Sequence, residues 1–438
     1  MIRMLVVLNL SLPAMHAQWW DPGGSLPALF SNATRGKLEM NFEFRTRYED
    51  RTGVTFGKDP EQNPMLIRTR LGVSYQPVPW VRFSGMAQDA RAPLWGPSAP
   101  NTVRDDADMH EGYIELFPDR NEGFWLSAGR QMLNYGEGRL IGAPQWNNLS
   151  RTYDQVRVGY RLPFGQFDFL LVSPVKIRIA EFNRPVLGDR VWGSYNSFPN
   201  VFRQMLVDVY ALRHDQNREG GYTGGSTRER TDRLTVNTFG LRMAGPLALG
   251  AKFSLEGAMQ NGKVGPASHR GVAWSSDVSR RWTLAKTTFD LSGEYKCASG
   301  TANPKDASRD GTFDQLYAAN HDRFGREDLF GWRNLHNIRL LGTFGVLKNV
   351  SLNAMYNNSW LASARDGLYS ISGNSIVRSA TGLDGRHIGQ EADAFVTFKF
   401  HHYTFGSGYG RFFNGEFIER TTPHASPNYV YVFQTYSL

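Results

Sequence analysis

Residues 37–49 read KLEMNFEFRTRYE, and apolar and polar side chains alternate along almost the whole stretch. One face of this segment, if extended, would present Leu38, Met40, Phe42, Phe44 and Tyr48. The other face would present charged and amide side chains. Because side chains on a β-strand point alternately to opposite sides, the pattern predicts a strand with one face in an apolar medium and the other in water.

Runs of the same kind recur to the end of the chain, and many match the 9–11 residues that a tilted strand needs to cross a bilayer. They cover residues 67–76, 80–88, 109–117, 123–132, 153–160, 165–172, 202–212, 234–243, 248–260, 272–279, 283–296, 335–344, 350–360, 387–400, 403–412 and 429–437. Short turns at 77–79, 244–246, 279–281, 345–349 and 401–402 alternate with long polar loops at 50–64, 89–108, 133–152, 213–233, 298–334, 361–386 and 413–428. Short periplasmic turns opposite long extracellular loops are typical of bacterial outer-membrane barrels.

The alternation of turns and loops fails between residues 173 and 212 unless one more strand is present. Residues 190–197, RVWGSYNS, are the best candidate. With this strand the total becomes about eighteen, an even number with both termini in the periplasm. We therefore predict an all-β fold, a transmembrane antiparallel β-barrel of about 18 strands.

Aromatic residues near strand ends separate this barrel from a soluble β-sandwich, the alternative fold. They resemble the two aromatic girdles at the membrane–water interfaces, and comprise Tyr48, Tyr75, Phe83, Phe117, Phe124, Tyr160, Trp360, Phe400, Tyr403 and Phe412. A barrel of 16–18 strands is wide enough to enclose an aqueous channel.

The N-terminus has the features of a secretory signal peptide, with Arg3, an apolar run and small residues near Ala17. We expect residues 1–17 to be this leader, 18–36 an N-terminal periplasmic segment and 37–438 the outer-membrane barrel. No apolar run is long enough for a transmembrane helix. Cys297 is the only cysteine, which excludes a disulfide framework and thiolate metal clusters.

The predicted inner face is rich in arginine, and the net charge of +8 favours an anionic partner. Guanidinium groups stay charged and bind carboxylates with two parallel hydrogen bonds. The inward basic positions are Arg45, Arg47, Arg68, Arg70, Arg82, Arg157, Arg242, Lys252, Arg339 and Lys399, and the inward acids are Glu111, Glu115, Asp290, Glu391 and Asp393. The alternative is that arginine–carboxylate pairs only make the wall rigid.

One segment, GRQMLNYGEGRLIG followed by WNNLSRTYD within residues 129–154, resembles the central motif of the alginate-export family of outer-membrane barrels. Two further segments, at 313–340 and 388–417, resemble the same family. The resemblance implies an 18-stranded barrel whose arginine-rich pore passes an anionic polysaccharide outward. By position it implies site roles for Arg130, Arg139, Arg151 and Asp154.

The predicted function is a conduit for an anionic, alginate-like polysaccharide or other uronate that performs no catalysis and needs no cofactor or metal. Its width would be set by the loops 133–152 and 298–334 folding inward. Expected partners are uronate polymers, outer-membrane lipid and lipopolysaccharide, and periplasmic secretion proteins, but not nucleic acid. The alternatives are a general or carboxylate-selective uptake porin, a barrel enzyme such as a lipase or protease, and an adhesin or receptor acting through its long loops.

Overall fold

The computed structural model describes residues 34–438 except 35, 58–61, 63, 96–98, 100–101, 119–121, 203, 218–232 and 285–286. The predicted leader and nearly all of the predicted periplasmic segment lie outside the described residues and stay predictions. Extended strands dominate the chain, as the period-2 pattern requires.

The described residues contain twenty-two strands, which are numbered in chain order. They are β1 Leu38–Thr52, β2 Met65–Val78, β3 Val81–Arg91, β4 Asp105–Leu116, β5 Gly123–Gln131, β6 Tyr153–Leu162, β7 Gly165–Lys176, β8 Arg184–Pro185, β9 Asp189–Phe198, β10 Leu206–Asn217, β11 Arg233–Pro246, β12 Ala251–Val264, β13 Ala267–Leu284, β14 Thr287–Ala298, β15 Arg309–Asp310, β16 Leu335–Leu347, β17 Val350–Leu361, β18 Gly367–Tyr369, β19 Ser375–Arg378, β20 His387–Phe400, β21 Tyr403–Asn414 and β22 Asn428–Ser437. A 3₁₀ turn at Ala248–Gly250 and a helix at Glu416–Thr421 complete the described elements.

Eighteen of these strands form one closed antiparallel barrel, which confirms the predicted fold. Each pairs with its neighbours along the chain, and β1 pairs with β22 to close the cylinder. The short strands β8 and β15 attach to the sheet, whereas β18 and β19 form a separate hairpin. Among the described residues, no helix is long and apolar enough to cross a membrane.

The two faces of each barrel strand differ in burial as the sequence predicts. In β11, for example, Val236 and Thr238 point inward and are fully buried, whereas Phe239 and Leu241 are 47% and 45% exposed on the outside. A continuous band of large apolar side chains on the exposed face of a closed barrel is typical of a surface in contact with lipid. The exposed face is therefore the lipid-facing surface.

Three details correct the sequence-based assignment. The extra strand predicted at 190–197 is present as β9, but the turn predicted at 279–281 is wrong because those residues lie inside the 18-residue strand β13. A two-residue turn at 265–266 stands on the side of the long loops. Two of the proposed girdle residues, Phe117 and Phe412, are buried rather than lipid-facing.

Two long connections lie inside the barrel. We call residues 132–152, between β5 and β6, the first inner loop, and residues 299–334, between β14 and β16, the second inner loop. Their apolar side chains join a buried core that includes Leu140, Ile141, Phe313, Phe330 and Trp332. The lumen thus contains its own hydrophobic core, and both loops expected to fold inward do so.

Candidate functional site in the barrel lumen

Four arginines on the inner faces of β1 and β2 hold the tip of the first inner loop. The two strands are adjacent, and Arg45 lies directly opposite Arg68 in their register. Arg45 donates to two carbonyl oxygens within residues 145–147 at 2.9 Å each, and Arg68 donates to the same two at 3.0 and 2.9 Å. Arg47 donates to the remaining carbonyl, and Arg70 to the side-chain oxygen of residue 145.

These four arginines, which we call the arginine cluster, carry more positive charge than nearby carboxylates balance. Glu43 and Glu49 each pair with one of them, at 2.6 and 2.7 Å. Arg45 and Arg70 form no ion pair with any residue that the structure describes, and Arg70 bonds instead to the neutral amide of Gln88 at 2.7 Å. The acceptors of the cluster are therefore mostly neutral oxygens.

The indole of Trp146 fixes the loop tip against the wall. It stacks on His321 of the second inner loop, with ring centres 4.8 Å apart and planes at 4°. The Arg47 guanidinium lies 4.1 Å from the centre of the same ring, and Arg326 lies 5.2 Å away. Tyr431 on β22 meets the indole edge-on at 5.1 Å. Both inner loops and the barrel wall therefore meet at this one side chain.

Glycines on β21 make room for the aromatic wall. A Cβ atom at Gly408 would lie 2.5 Å from the ring of Tyr431, and one at Gly406 would lie 2.3 Å from the ring of Phe433. Both distances are far shorter than a van der Waals contact. These inner-face positions require glycine because the neighbouring rings occupy the side-chain space.

The two inner loops also bond to each other through their backbones across the lumen. The bonds run from Tyr317 N to Leu140 O at 2.8 Å, from Gly142 N to Tyr317 O at 3.0 Å and from Ala319 N to Gly138 O at 2.9 Å. They form a short parallel pairing centred on Ile141 and Tyr317. The loops form a single structure within the channel.

Arg151 reinforces this pairing from one side. Its Nη1 atom donates to Tyr317 O at 2.6 Å and to Gly142 O and Ala318 O at 3.2 Å each. The sequence singled out Arg151 as a pore residue. Its observed contacts are with backbone carbonyls that belong to both inner loops.

Arg139 lies at the opposite side of the first inner loop, where carboxylates surround it. It contacts Glu294 at 2.6 Å, Glu137 at 2.8 Å and Glu256 at 3.4 Å, and is 4% exposed. Burial alone would lower the pKa of Arg139, but these carboxylates raise it above its ordinary value. Its charge is thus already balanced.

Arg339 and Lys296 share one of these partners. Glu294 Oε2 accepts from Lys296 at 2.8 Å and from Arg339 at 3.2 Å. Lys296 is fully buried, and its Nζ atom lies 4.6 Å from the ring centre of Phe324. Glu294 is therefore the common counter-ion of three cations, counting Arg139.

Two further predicted basic positions, Arg130 and Arg157, also have acidic partners. Arg130 forms a two-bond ion pair with Asp154, at 2.7 and 3.1 Å, which joins β5 to β6. Arg157 lies 3.5 Å from Asp168 and over the Trp125 ring at 5.3 Å. These contacts connect neighbouring strands within the wall.

Arg82 lies apart from the other predicted residues. It contacts Glu115 at 3.6 Å, and both side chains remain between 25% and 30% exposed. This pair belongs to adjacent strands, β3 and β4, near their short-turn ends. Weak, solvent-exposed pairs of this kind contribute little to stability.

The predicted acids Glu391 and Asp393 face the second inner loop rather than open water. Glu391 accepts a bond from the Glu327 backbone amide at 3.0 Å, and both predicted acids are at most 5% exposed. Burial, with a further contribution from the Asp393 carboxylate, raises the pKa of Glu327 to about 8. Glu391 and Asp393 thus place an acidic group on β20, between β17 and β21, against the second inner loop.

Sequence reasoning did not identify the contacts that fix the second inner loop at its outer end. His214 lies between two carboxylates, 2.6 Å from Asp314 and 3.1 Å from Asp189. Tyr317 also donates to Asp189, and Arg333 pairs with Asp314 at 2.7 Å. The family-like segment 313–340 contains Asp314, Tyr317 and Arg333 but gave no partners, and His214 and Asp189 lie outside it.

The geometry can be compared with known proteins. The sequence matches the family model described as "Alginate export" over residues 37–432. The chain belongs to the alginate export family. Together with the closed barrel, membership of this family makes the protein an outer-membrane channel. No curated protein matches the sequence.

The barrel of this alginate export family member resembles solved porins of Pseudomonas aeruginosa. OpdK superposes with a TM-score of 0.62 at 10% identity, covering 92% of this chain and 98% of that one. OccK10 (OpdN) gives 0.59 at 12% identity, covering 92% and 99%. OccK2 (OpdF), solved in complex with glucuronate, gives 0.61 at 10% identity, covering 92% and 98%. Identities this low show a shared fold.

Proposed function

We propose that the channel passes an anionic, uronate-type polysaccharide across the outer membrane, as the alginate family description suggests. The observation that supports this proposal best is the arginine cluster, four buried guanidinium groups on adjacent strands whose acceptors are mainly neutral carbonyls. A carboxylate is a stronger acceptor than a carbonyl and binds a guanidinium fork with two bonds. Carboxylated sugar units are therefore suited to replace the loop carbonyls.

The selectivity would arise at the arginine cluster rather than uniformly along the lumen. Around Arg139 the cations are already neutralised by Glu137, Glu256 and Glu294. At the arginine cluster, Arg45 and Arg70 retain uncompensated charge among the described residues. A uronate would therefore gain the most binding free energy at the arginine cluster, because it need not displace another carboxylate there.

The proposed role is passive transport, without catalysis, cofactor or resident metal. Among the described residues, no three His, Cys, Asp or Glu side chains are arranged to hold a metal ion. We also propose that a signal peptide exports the protein and that periplasmic secretion proteins deliver the polymer.

Single-channel conductance in a planar bilayer tests the uronate preference. Oligomannuronate should block the current of the native channel, whereas a neutral oligosaccharide of equal length should not. Arg45→Gln and Arg70→Gln should each raise the blocking concentration about tenfold, the effect of losing one charge-assisted bond. The matched control is Arg420→Gln, whose side chain is 55% exposed in an outer loop. Equal block by the neutral sugar would refute the proposal.

A second candidate is uptake of small carboxylates, which the meeting of the two inner loops favours. Backbone bonds between these loops cross the lumen, an arrangement suited to admitting single sugars rather than chains. Liposome swelling with glucuronate and with oligomannuronate separates the two functions. Entry of the monomer with complete exclusion of the oligomer would favour uptake.

A further inference from the structure

The outer wall of the barrel carries a group of basic side chains at the loop ends of five consecutive strands, β9 to β13. We call it the basic patch, and it comprises Arg190, Arg213, Arg233, Lys263 and Arg270. All five lie at strand positions whose side chains point away from the lumen. Four of them are exposed, namely Arg190, Arg233, Lys263 and Arg270. Strands lie about 4.8 Å apart, so the patch extends over roughly 20 Å of the barrel circumference.

The strand register places the basic patch at the upper edge of the lipid-facing band. Arg213, Asn237, Asn261 and Arg270 are successive partners across β10 to β13 and form one polar row. Two residues further along each strand, away from the loops, the next row consists of Ala211, Phe239, Met259 and Val272. In that row Phe239, Met259 and Val272 are 47%, 65% and 55% exposed. The surface therefore changes from cationic to apolar within one row.

Aromatic side chains mark the same boundary. Trp192 lies opposite Arg213 and is 45% exposed, with the guanidinium 5.8 Å from its ring centre. Trp274, one row below the apolar Val272, is 48% exposed. Tryptophan is enriched where the hydrocarbon core meets the head groups. The basic patch thus lies at head-group height.

Most of the positive charge in the basic patch has no ion-pair partner among the residues that the structure describes. Arg213 pairs with Asp215 at 3.2 Å, but Arg190, Lys263 and Arg270 form no ion pair with any described residue. On the opposite stretch of the rim, by contrast, Arg91 contacts both Asp89 and Asp106 at 2.5 Å. The excess of positive charge is a property of the β9–β13 sector.

We propose that the basic patch binds the phosphate groups of a phosphorylated glycolipid of the outer leaflet, of the lipid A type. Long loops are extracellular in such barrels, so the patch faces the outer leaflet. Guanidinium and ammonium groups are the side chains that bind phosphate oxygens. The apolar row directly beneath would contact the acyl chains of the same molecule. A soluble anion would make only the first of these contacts.

The test is lipid binding by purified full-length protein in neutral detergent, followed by native mass spectrometry. The probes are diphosphorylated lipid A and the same lipid after removal of both phosphates. The patch variant is Arg190→Gln/Lys263→Gln/Arg270→Gln. The matched control, Lys37→Gln/Arg280→Gln/Lys348→Gln, removes the same charge at the opposite end of the barrel.

Each removed cation should weaken binding of diphosphorylated lipid A about fivefold, so the patch variant should lose on the order of 100-fold. The control should change less than threefold, and the dephosphorylated lipid should bind native protein and both variants alike. If the triple variant does not fold, as judged by circular dichroism, Arg270→Gln alone should show the fivefold loss.

Several results would overturn the proposal. These are retention of lipid A affinity by the folded patch variant, an equal loss in the control, or equally tight binding of the dephosphorylated lipid to native protein. Displacement of the lipid by millimolar inorganic phosphate would assign the patch to free phosphate instead.

Discussion

Replacement of Arg151 by alanine should loosen the two inner loops without unfolding the barrel. The side chain makes one short and two longer bonds from a single nitrogen to the carbonyls of both loops. A bond from a charged donor contributes about 1.5–3 kcal/mol, and three acceptors share two hydrogens here. We therefore expect a loss of about 2–3 kcal/mol, which raises the population of separated loops about 30- to 150-fold. The strand ladder is untouched, so the thermal unfolding temperature of the barrel should stay nearly constant.

Single-channel recording is the appropriate assay, because separated loops should give larger and noisier open-state currents. Arg151→Lys keeps the charge but loses the planar fork, and should show an intermediate effect. An ideal Cβ at Gly138 would lie 3.6 Å from the Cβ of Ala319, within the range of disulfides. In a Cys297→Ser background, the oxidised Gly138→Cys/Ala319→Cys pair should suppress the excess noise of Arg151→Ala. Unchanged conductance and noise in Arg151→Ala would refute the assigned role of the loop pairing.

Three further predictions concern stability. Glu294→Gln should destabilise the barrel by about 3–5 kcal/mol in urea unfolding, because it leaves buried cations without their shared counter-ion. The raised pKa of Glu327 means that this side chain binds its proton more tightly in the folded than in the unfolded chain. Its contribution to stability should therefore be complete below about pH 4.5 and be lost as the pH rises to about 8. Glu327→Gln should flatten that part of the profile, and an unchanged slope would contradict the assignment. Gly408→Ala should lower stability by about 1–3 kcal/mol through its clash with Tyr431, whereas Gly257→Ala, with open space around its Cβ, should be nearly neutral.

The barrel was predictable from sequence because lipid and water impose opposite requirements on alternate residues. The pattern in residues 37–49 became β1, and even the weakly patterned 190–197 became β9 once the alternation of connections was considered. The misplaced turn at 279–281 has a physical cause. Arg280 and Arg281 are polar, as turn residues are, but β13 continues beyond the apolar band into water, where polar side chains are equally stable in a strand.

The contact partners of the lumen arginines were less predictable than the face of the sheet on which these side chains lie. Strand parity placed Arg45 and Arg68 inward, but it could not show that their acceptors are backbone carbonyls about 100 and 80 residues away in the chain. The contact between Arg151 and Tyr317 spans 166 residues and depends on two loops whose paths have no periodic signal. Periodicity predicts which way a side chain points. It contains no information on which loop reaches that side chain.

The electrostatics of the lumen explain why an arginine-rich wall need not bind anions everywhere. A buried guanidinium that is already paired with carboxylates provides little binding free energy for a further anion. Binding there would leave a neighbouring carboxylate without its partner. Arg139 is in this state, whereas Arg45 and Arg70 are bonded mainly to neutral oxygens. The carbonyls at 145–147 belong to a loop that is itself attached to the second inner loop. A uronate that displaced them would therefore also weaken the contact between the two loops. Substrate recognition at the arginine cluster and widening of the channel would then be a single event.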